Sequence, residues 1–125
     1  YRVNQLIQHA LALGEVVGVF AESRISRGID VEPFKSALIQ PAILNGIPVH
    51  YATITYKARP SAHPPHEVIS WWKPIPFFAH LRRLLANRGC TAVVRWGGAP
   101  IQHEDRKALA RQLHAAVRAQ FQPVE

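Results

Sequence analysis

Residues 15–28 read EVVGVFAESRISRG. The first seven form a short, nearly continuous apolar run, which predicts a strand buried on both faces of a parallel sheet. The run then breaks at once into a carboxylate (Glu22), two hydroxyls (Ser23, Ser26), two guanidiniums (Arg24, Arg27) and a glycine (Gly28). In open α/β sheets the loops at the carboxyl ends of strands build ligand sites. A loop of this composition can hold an anion such as phosphate through several charge-assisted bonds, with Gly28 freeing the backbone to turn. Glu22 suits such a site only if it orients an arginine or fixes the loop by accepting backbone N–H bonds. The alternative is a solvated loop with an internal Glu–Arg pair.

Working outward, Val3, Leu6, Ile7, Ala10 and Leu11 recur at helical spacing and Gly14 stands where a left-handed cap belongs, so a helix is expected over residues 3–13. Downstream, residues 33–46 (PFKSALIQPAILNG) read as a helix that Pro41 kinks or splits. Residues 47–57 (IPVHYATITYK) read as a second strand, and the proline-rich residues 58–67 as an exposed connection. A helix is expected from about Pro76, with Phe77, Leu81, Leu84 and Leu85 inward and Arg82, Arg83 and Arg88 outward. Residues 90–96 (CTAVVRW) read as a third strand ended by Gly97 and Gly98, with Cys90 a small buried residue. Residues 103–121 give a final helix, with Leu109, Leu113, Val117 and Phe121 on one face and acidic residues in the first turn, where the helix dipole favours them. Alternating helix and strand predicts an α/β layered sheet flanked by helices, with residues 1–125 forming one domain.

The chain has 125 residues, 48% of them hydrophobic, enough for one core. It opens on Tyr1 in a helical pattern and contains no Met, so it reads as a fragment. No run approaches the roughly 18 to 20 apolar residues that span a bilayer. Fifteen Lys and Arg against eight Asp and Glu give a net charge of +7, and eleven of the fifteen are Arg, which grips anions in a planar fork. Anionic partners are favoured: nucleic acid, a lipid surface or a phosphorylated substrate. The single cysteine, Cys90, rules out an internal disulfide. His63 and His66 lack the further ligands a zinc site requires. Trp71, Trp72 and Lys73, with Phe77 and Phe78 close behind, suit either core packing or a bilayer's headgroup level.

The order of segments resembles the second half of the glycerolipid acyltransferases, the 1-acylglycerol-3-phosphate acyltransferase group. That family's third motif, F-P-E-G-T-x-S, is followed by a P-F-K segment and a G-x-P-V strand. Here Phe20, Glu22 and Ser26 match the motif, Gly28 a common glycine, Phe34 and Lys35 the next pair, and residues 46–49 (GIPV) the strand. Ala21 stands for the proline, Ser23 for the glycine and Arg24 for the threonine. Trp71 and Trp72 ahead of FFAHLRRLL, the VVRWG strand and the DRKALA helix also resemble the family's closing section.

The resemblance implies a partial glycerolipid acyltransferase fold and transfer of an acyl chain from acyl-CoA or acyl carrier protein, as donor substrate, to a lysophospholipid such as 1-acylglycerol-3-phosphate, or, given the departures at residues 21, 23 and 24, to another acceptor such as the lyso-ornithine lipids that related bacterial enzymes acylate. The acceptor's polar head would be held by Glu22, Ser23, Arg24, Ser26, Arg27, Gly28 and Lys35, with no cofactor or metal. It further implies an anionic membrane surface as partner, at the cytoplasmic face of a bacterial inner membrane. The family's catalytic pair is H-x-x-x-x-D, in which the carboxylate orients the imidazole as general base. None of the seven histidines here has Asp five residues later, so no catalytic residue is expected in this chain, and the pair is expected before Tyr1. The chain alone is expected to be inactive. Two other readings are a basic nucleic-acid-binding module, which lacks aromatics interleaved with cations on a sheet face, and a non-catalytic lipid-binding domain of the same fold.

Overall fold

The computed structural model describes residues 2–59, 63–87 and 89–124, apart from the side chains of residues 58 and 65. In chain order the elements are α1 (Arg2–Ala12), a 3-10 turn (Ser36–Leu38), α2 (Gln40–Leu44), β1 (Ala52–Ala58), α3 (Pro65–Val68), α4 (Phe77–Ala86), β2 (Cys90–Trp96) and α5 (Arg106–Gln120).

β1 and β2 pair antiparallel, with Ala52 opposite Trp96 and Ala58 opposite Cys90. A single bridge between Val49 and Ile101 extends the pairing beyond the strands. Side chains alternate across a strand, so Thr53 and Thr55 of β1 turn inward together and are buried. The Thr55 hydroxyl reaches the Gln122 carbonyl at 3.3 Å.

The core lies between the 3-10 turn, α2 and α5. Ile39, Leu109, Ala110 and Leu113 are buried there, with Phe34, Ile43, Val49, Tyr51 and Ile101 packed around them. The four-residue spacing in α5 works as expected: Leu109, Leu113 and Val117 are all buried. Asp105 starts this helix by accepting the Ala108 N–H at 2.8 Å, which satisfies one of the free N–H groups of the first turn. That bond holds the Asp105 carboxyl below its ordinary range. Pro41 falls in the first turn of α2, where no N–H is missed, so the expected helix is split into a 3-10 turn and a short α-helix.

Three expectations are corrected. Residues 15–20 belong to no strand or helix, and the run is largely exposed, with Val16 at 100% and Phe20 at 81%. An apolar run supplies a strand's side chains but not its hydrogen-bonding neighbours, and the two described strands pair with each other, antiparallel. Cys90, the first residue of β2, is exposed rather than buried, because β2 is bordered by β1 on one edge and lies open along nearly all of its length. The third correction concerns α4. Phe77, Phe78 and Leu85 point to solvent, while His80 is buried and Arg83 is half-buried 3.9 Å from Glu67. Periodicity identifies an apolar face but not the direction in which it is turned. Arg88, expected to face outward, lies outside the described residues.

Candidate functional site: an arginine-lined cleft

Residues 21–32 fold into a loop closed on itself by side chains. The Glu22 carboxylate accepts the Glu32 N–H at 2.8 Å, and the Lys35 N–H donates to the Ala21 carbonyl at 2.8 Å, so the two ends of the loop are joined. Glu22 thus fixes the loop through a backbone bond. Ser26 accepts the Gly28 N–H at 3.2 Å, and Arg24 donates to the Glu32 carboxylate.

Distant segments clasp the same loop. Arg118 of α5 grips Asp30 with two bonds, from Nε at 3.0 Å and from Nη2 at 2.7 Å. The Val31 N–H, first, and then Arg118 hold the Asp30 carboxyl below its usual value. His114, also on α5, lies 3.0 Å from the Val31 carbonyl and meets the Phe34 ring edge-on. The tail closes the third side: the Val124 N–H donates to the Gly28 carbonyl at 3.0 Å. Gly28 has φ +72°, and a Cβ there would lie 2.6 Å from Val124 Cγ2, so both conformation and space call for glycine.

Between the loop and Trp72 lies an open cleft of about 370 Å³. Arg24, Ser26 and Arg27 line it, and Ile25, Ile29, Asp30, Glu32 and Trp72 complete its walls. The Arg27 guanidinium sits 4.8 Å from the centre of the Trp72 ring, a cation–π arrangement that holds the fork in place. The Trp72 indole N–H is buried without an acceptor among the described residues. Of the residues singled out in the sequence, Ser23, Glu22, Gly28 and Lys35 are not walls of the cleft. Glu22 and Gly28 shape the loop, and Lys35 contributes its backbone N–H.

Asp30, Glu32 and Trp72 were missed as site residues. Glu32 stood beside the P-F-K segment, and Trp72 read as packing or bilayer contact. Nothing in the sequence brings a tryptophan forty-five residues downstream onto Arg27.

Ser23 has φ +55°, in the left-handed region, at the position where the family motif has glycine. A non-glycine residue there costs roughly 1–2 kcal/mol, partly offset by the smaller entropy that serine loses on folding. Ser23→Gly is therefore expected to stabilise the chain by about 0.5 kcal/mol. A urea titration that finds the variant less stable than the wild type would refute this account of the loop.

The described residues contain no group of three or more His, Cys, Asp or Glu placed to hold a metal ion, and no described helix is long and apolar enough to cross a membrane.

Comparison with known proteins points to the same family as the order of motifs. A protein of Rhodobacter capsulatus named lyso-ornithine lipid O-acyltransferase is 30% identical over 123 residues, covering 91% of this chain and 43% of the relative. A Brucella abortus protein of the same name is 29% identical over 136 residues, covering 93% of this chain and 48% of the relative. The chain spans a little under half the length of these curated relatives. No family model and no solved structure matches it. Over that shared length the chain is similar to lysophospholipid acyltransferases.

Proposed function

We propose that this chain is the head-group-binding portion of an enzyme that moves an acyl chain from acyl-CoA or acyl carrier protein to the free hydroxyl of a lysolipid at the cytoplasmic face of a membrane. In this reading its helices and strands form part of a larger α/β layered acyltransferase fold. Arg24, Ser26 and Arg27 hold the polar head, and a general base from outside these residues takes the hydroxyl proton. The isolated chain then shows no turnover.

One observation carries the choice of acceptor. The cleft sets two guanidiniums, Arg24 and Arg27, beside two carboxylates, Asp30 and Glu32. Arg24 is already joined to Glu32, and Asp30 to Arg118. A phosphate monoester, carrying close to two negative charges, would meet those carboxylates as well as the cations. A head group with one carboxylate and one ammonium finds a partner for each charge. This supports an acceptor of the lyso-ornithine lipid kind, the substrate that the relatives' names carry, over 1-acylglycerol-3-phosphate. The unpartnered Trp72 N–H offers a further donor to a head-group oxygen, since leaving it unpaired costs about 1–3 kcal/mol.

The test is acyl transfer by the product of the complete reading frame, with each acceptor in turn. Arg27→Ala is expected to raise the acceptor KM by about 10- to 100-fold, the value of a hydrogen bond to a charged partner, and to leave the donor KM unchanged. Arg27→Lys, which keeps the charge and loses the fork, is expected to fall between. An unaltered acceptor KM in Arg27→Ala refutes the role of the cleft. Preference for 1-acylglycerol-3-phosphate refutes the zwitterionic head.

A further inference from the structure

Helix α4 is turned inside out. At 3.6 residues per turn Phe77, Phe78, Leu81, Leu84 and Leu85 fall in one arc of about 120°. Most of that arc looks away from the protein: Phe78 is 79% exposed and Leu85 75%, while Leu81 is half-buried. The polar side is the packed one. His80 is buried and stacked 6.0 Å from the Trp71 ring, and Arg83 turns in toward Glu67. Lys73 also pairs with Glu67 and, first among the causes, lowers that carboxyl's pKa.

The aromatic surface continues beyond the helix. Phe77 lies 5.7 Å from Trp71 and 5.5 Å from Phe78. Trp71 is adjacent in sequence to Trp72, which walls the cleft. The exposed rings and the cleft therefore meet at one dipeptide. At the edge of the arc stands Arg82, exposed, on a chain whose net charge is +7.

We propose that the α4 face, with Trp71, rests on an anionic bilayer and places the mouth of the cleft at headgroup depth. Aromatic rings and leucines flanked by a cation are the composition of helices that lie in the membrane interface. The area argues against a second copy as the occupant. The exposed parts of Trp71, Phe77, Phe78, Leu84 and Leu85 amount to an area on the order of 500 Å², below the ~800 Å² per partner that a stable dimer buries. Continuity with the cleft argues in the same direction, because a lysolipid whose chain stays among its neighbours needs only its head to reach Trp72 and Arg27.

The inference rests on the lysolipid reading of the cleft for its geometry, and it is tested without acyl transfer, so that the two can fail separately. In the complete protein with Cys90 and any other native cysteine replaced by serine and carrying Phe78→Cys, a fluorophore attached at position 78 is expected to be quenched by brominated lipid in vesicles of phosphatidylcholine and phosphatidylglycerol. It is expected to remain unquenched in buffer. Phe78→Asp with Leu85→Asp is expected to weaken partition into the same vesicles by tenfold or more, since each substitution replaces a large apolar side chain with a charge. Both side chains are exposed, so circular dichroism should be unchanged. An unquenched fluorophore, or undiminished partition of the double variant, overturns the proposal. So does concentration-dependent dimerisation that the double variant abolishes, which would assign the face to a second copy.

Discussion

Leu109→Ala is expected to lower the free energy of unfolding by about 3 kcal/mol, within the 2–5 kcal/mol range for truncating a buried leucine. Leu109 is 1% exposed and sits at the centre of the cluster formed by Ile39, Ala110 and Leu113. Its neighbours come from the 3-10 turn, α2 and the Val49–Ile101 bridge, so the vacated space is lined from several directions and collapses poorly. The same helix carries His114 and Arg118, which clasp the cleft loop. With the cleft in its proposed role, the variant should therefore lose acceptor affinity as well as stability when assayed near its melting point. A urea titration is the measurement, with Leu109→Met as the volume-conserving control, expected to cost less than about 1.5 kcal/mol. A loss below about 1 kcal/mol in Leu109→Ala would mean that α5 is not anchored through this residue.

Gly28→Ala is the second large effect, expected at about 2–3 kcal/mol. Two causes add. The left-handed φ of +72° costs an alanine roughly 1–2 kcal/mol, and the new methyl would press on Val124 Cγ2, an overpacking cost of about 1–3 kcal/mol when the neighbour cannot yield freely. The tail is expected to yield in part, losing the 3.0 Å bond from the Val124 N–H to the Gly28 carbonyl. Cleavage near residues 122–124 by a nonspecific protease should then accelerate. The causes separate in a double-mutant cycle: Val124→Ala removes the methyl in the way and should restore the packing part, but not the conformational part. Full additivity of Gly28→Ala and Val124→Ala would show that the two residues do not press on each other.

How much was legible beforehand follows from which interactions are local. α1, α4 and α5 follow from 3.6-residue periodicity, because that signal lies within the helix it defines; the acidic residues expected in the first turn of α5 instead precede it, with Asp105 as its cap. β1 and β2 were legible from β-branched content, although β1 begins at Ala52 rather than at residue 47. Residues 15–21 misled because strand formation depends on a neighbour, which a run of valines does not encode. For α4 the pattern gave the apolar arc and could not say whether protein or another medium faces it. In the site, Arg24, Ser26 and Arg27 were readable as a cluster because they are close in sequence. Asp30–Arg118 joins residues eighty-eight apart and Gly28–Val124 joins the loop to the tail, and neither pair leaves a mark in one sequence.

The three clasps on the cleft loop bear on how acceptor choice changes over evolutionary time. Arg118 and His114 on α5, together with the residue at 124, set the loop's curvature without forming its walls. Substitutions there re-aim Arg24 and Arg27 while leaving both in place, so, with the cleft in its proposed role, two descendants of this chain can keep an identical loop and come to accept different lipids.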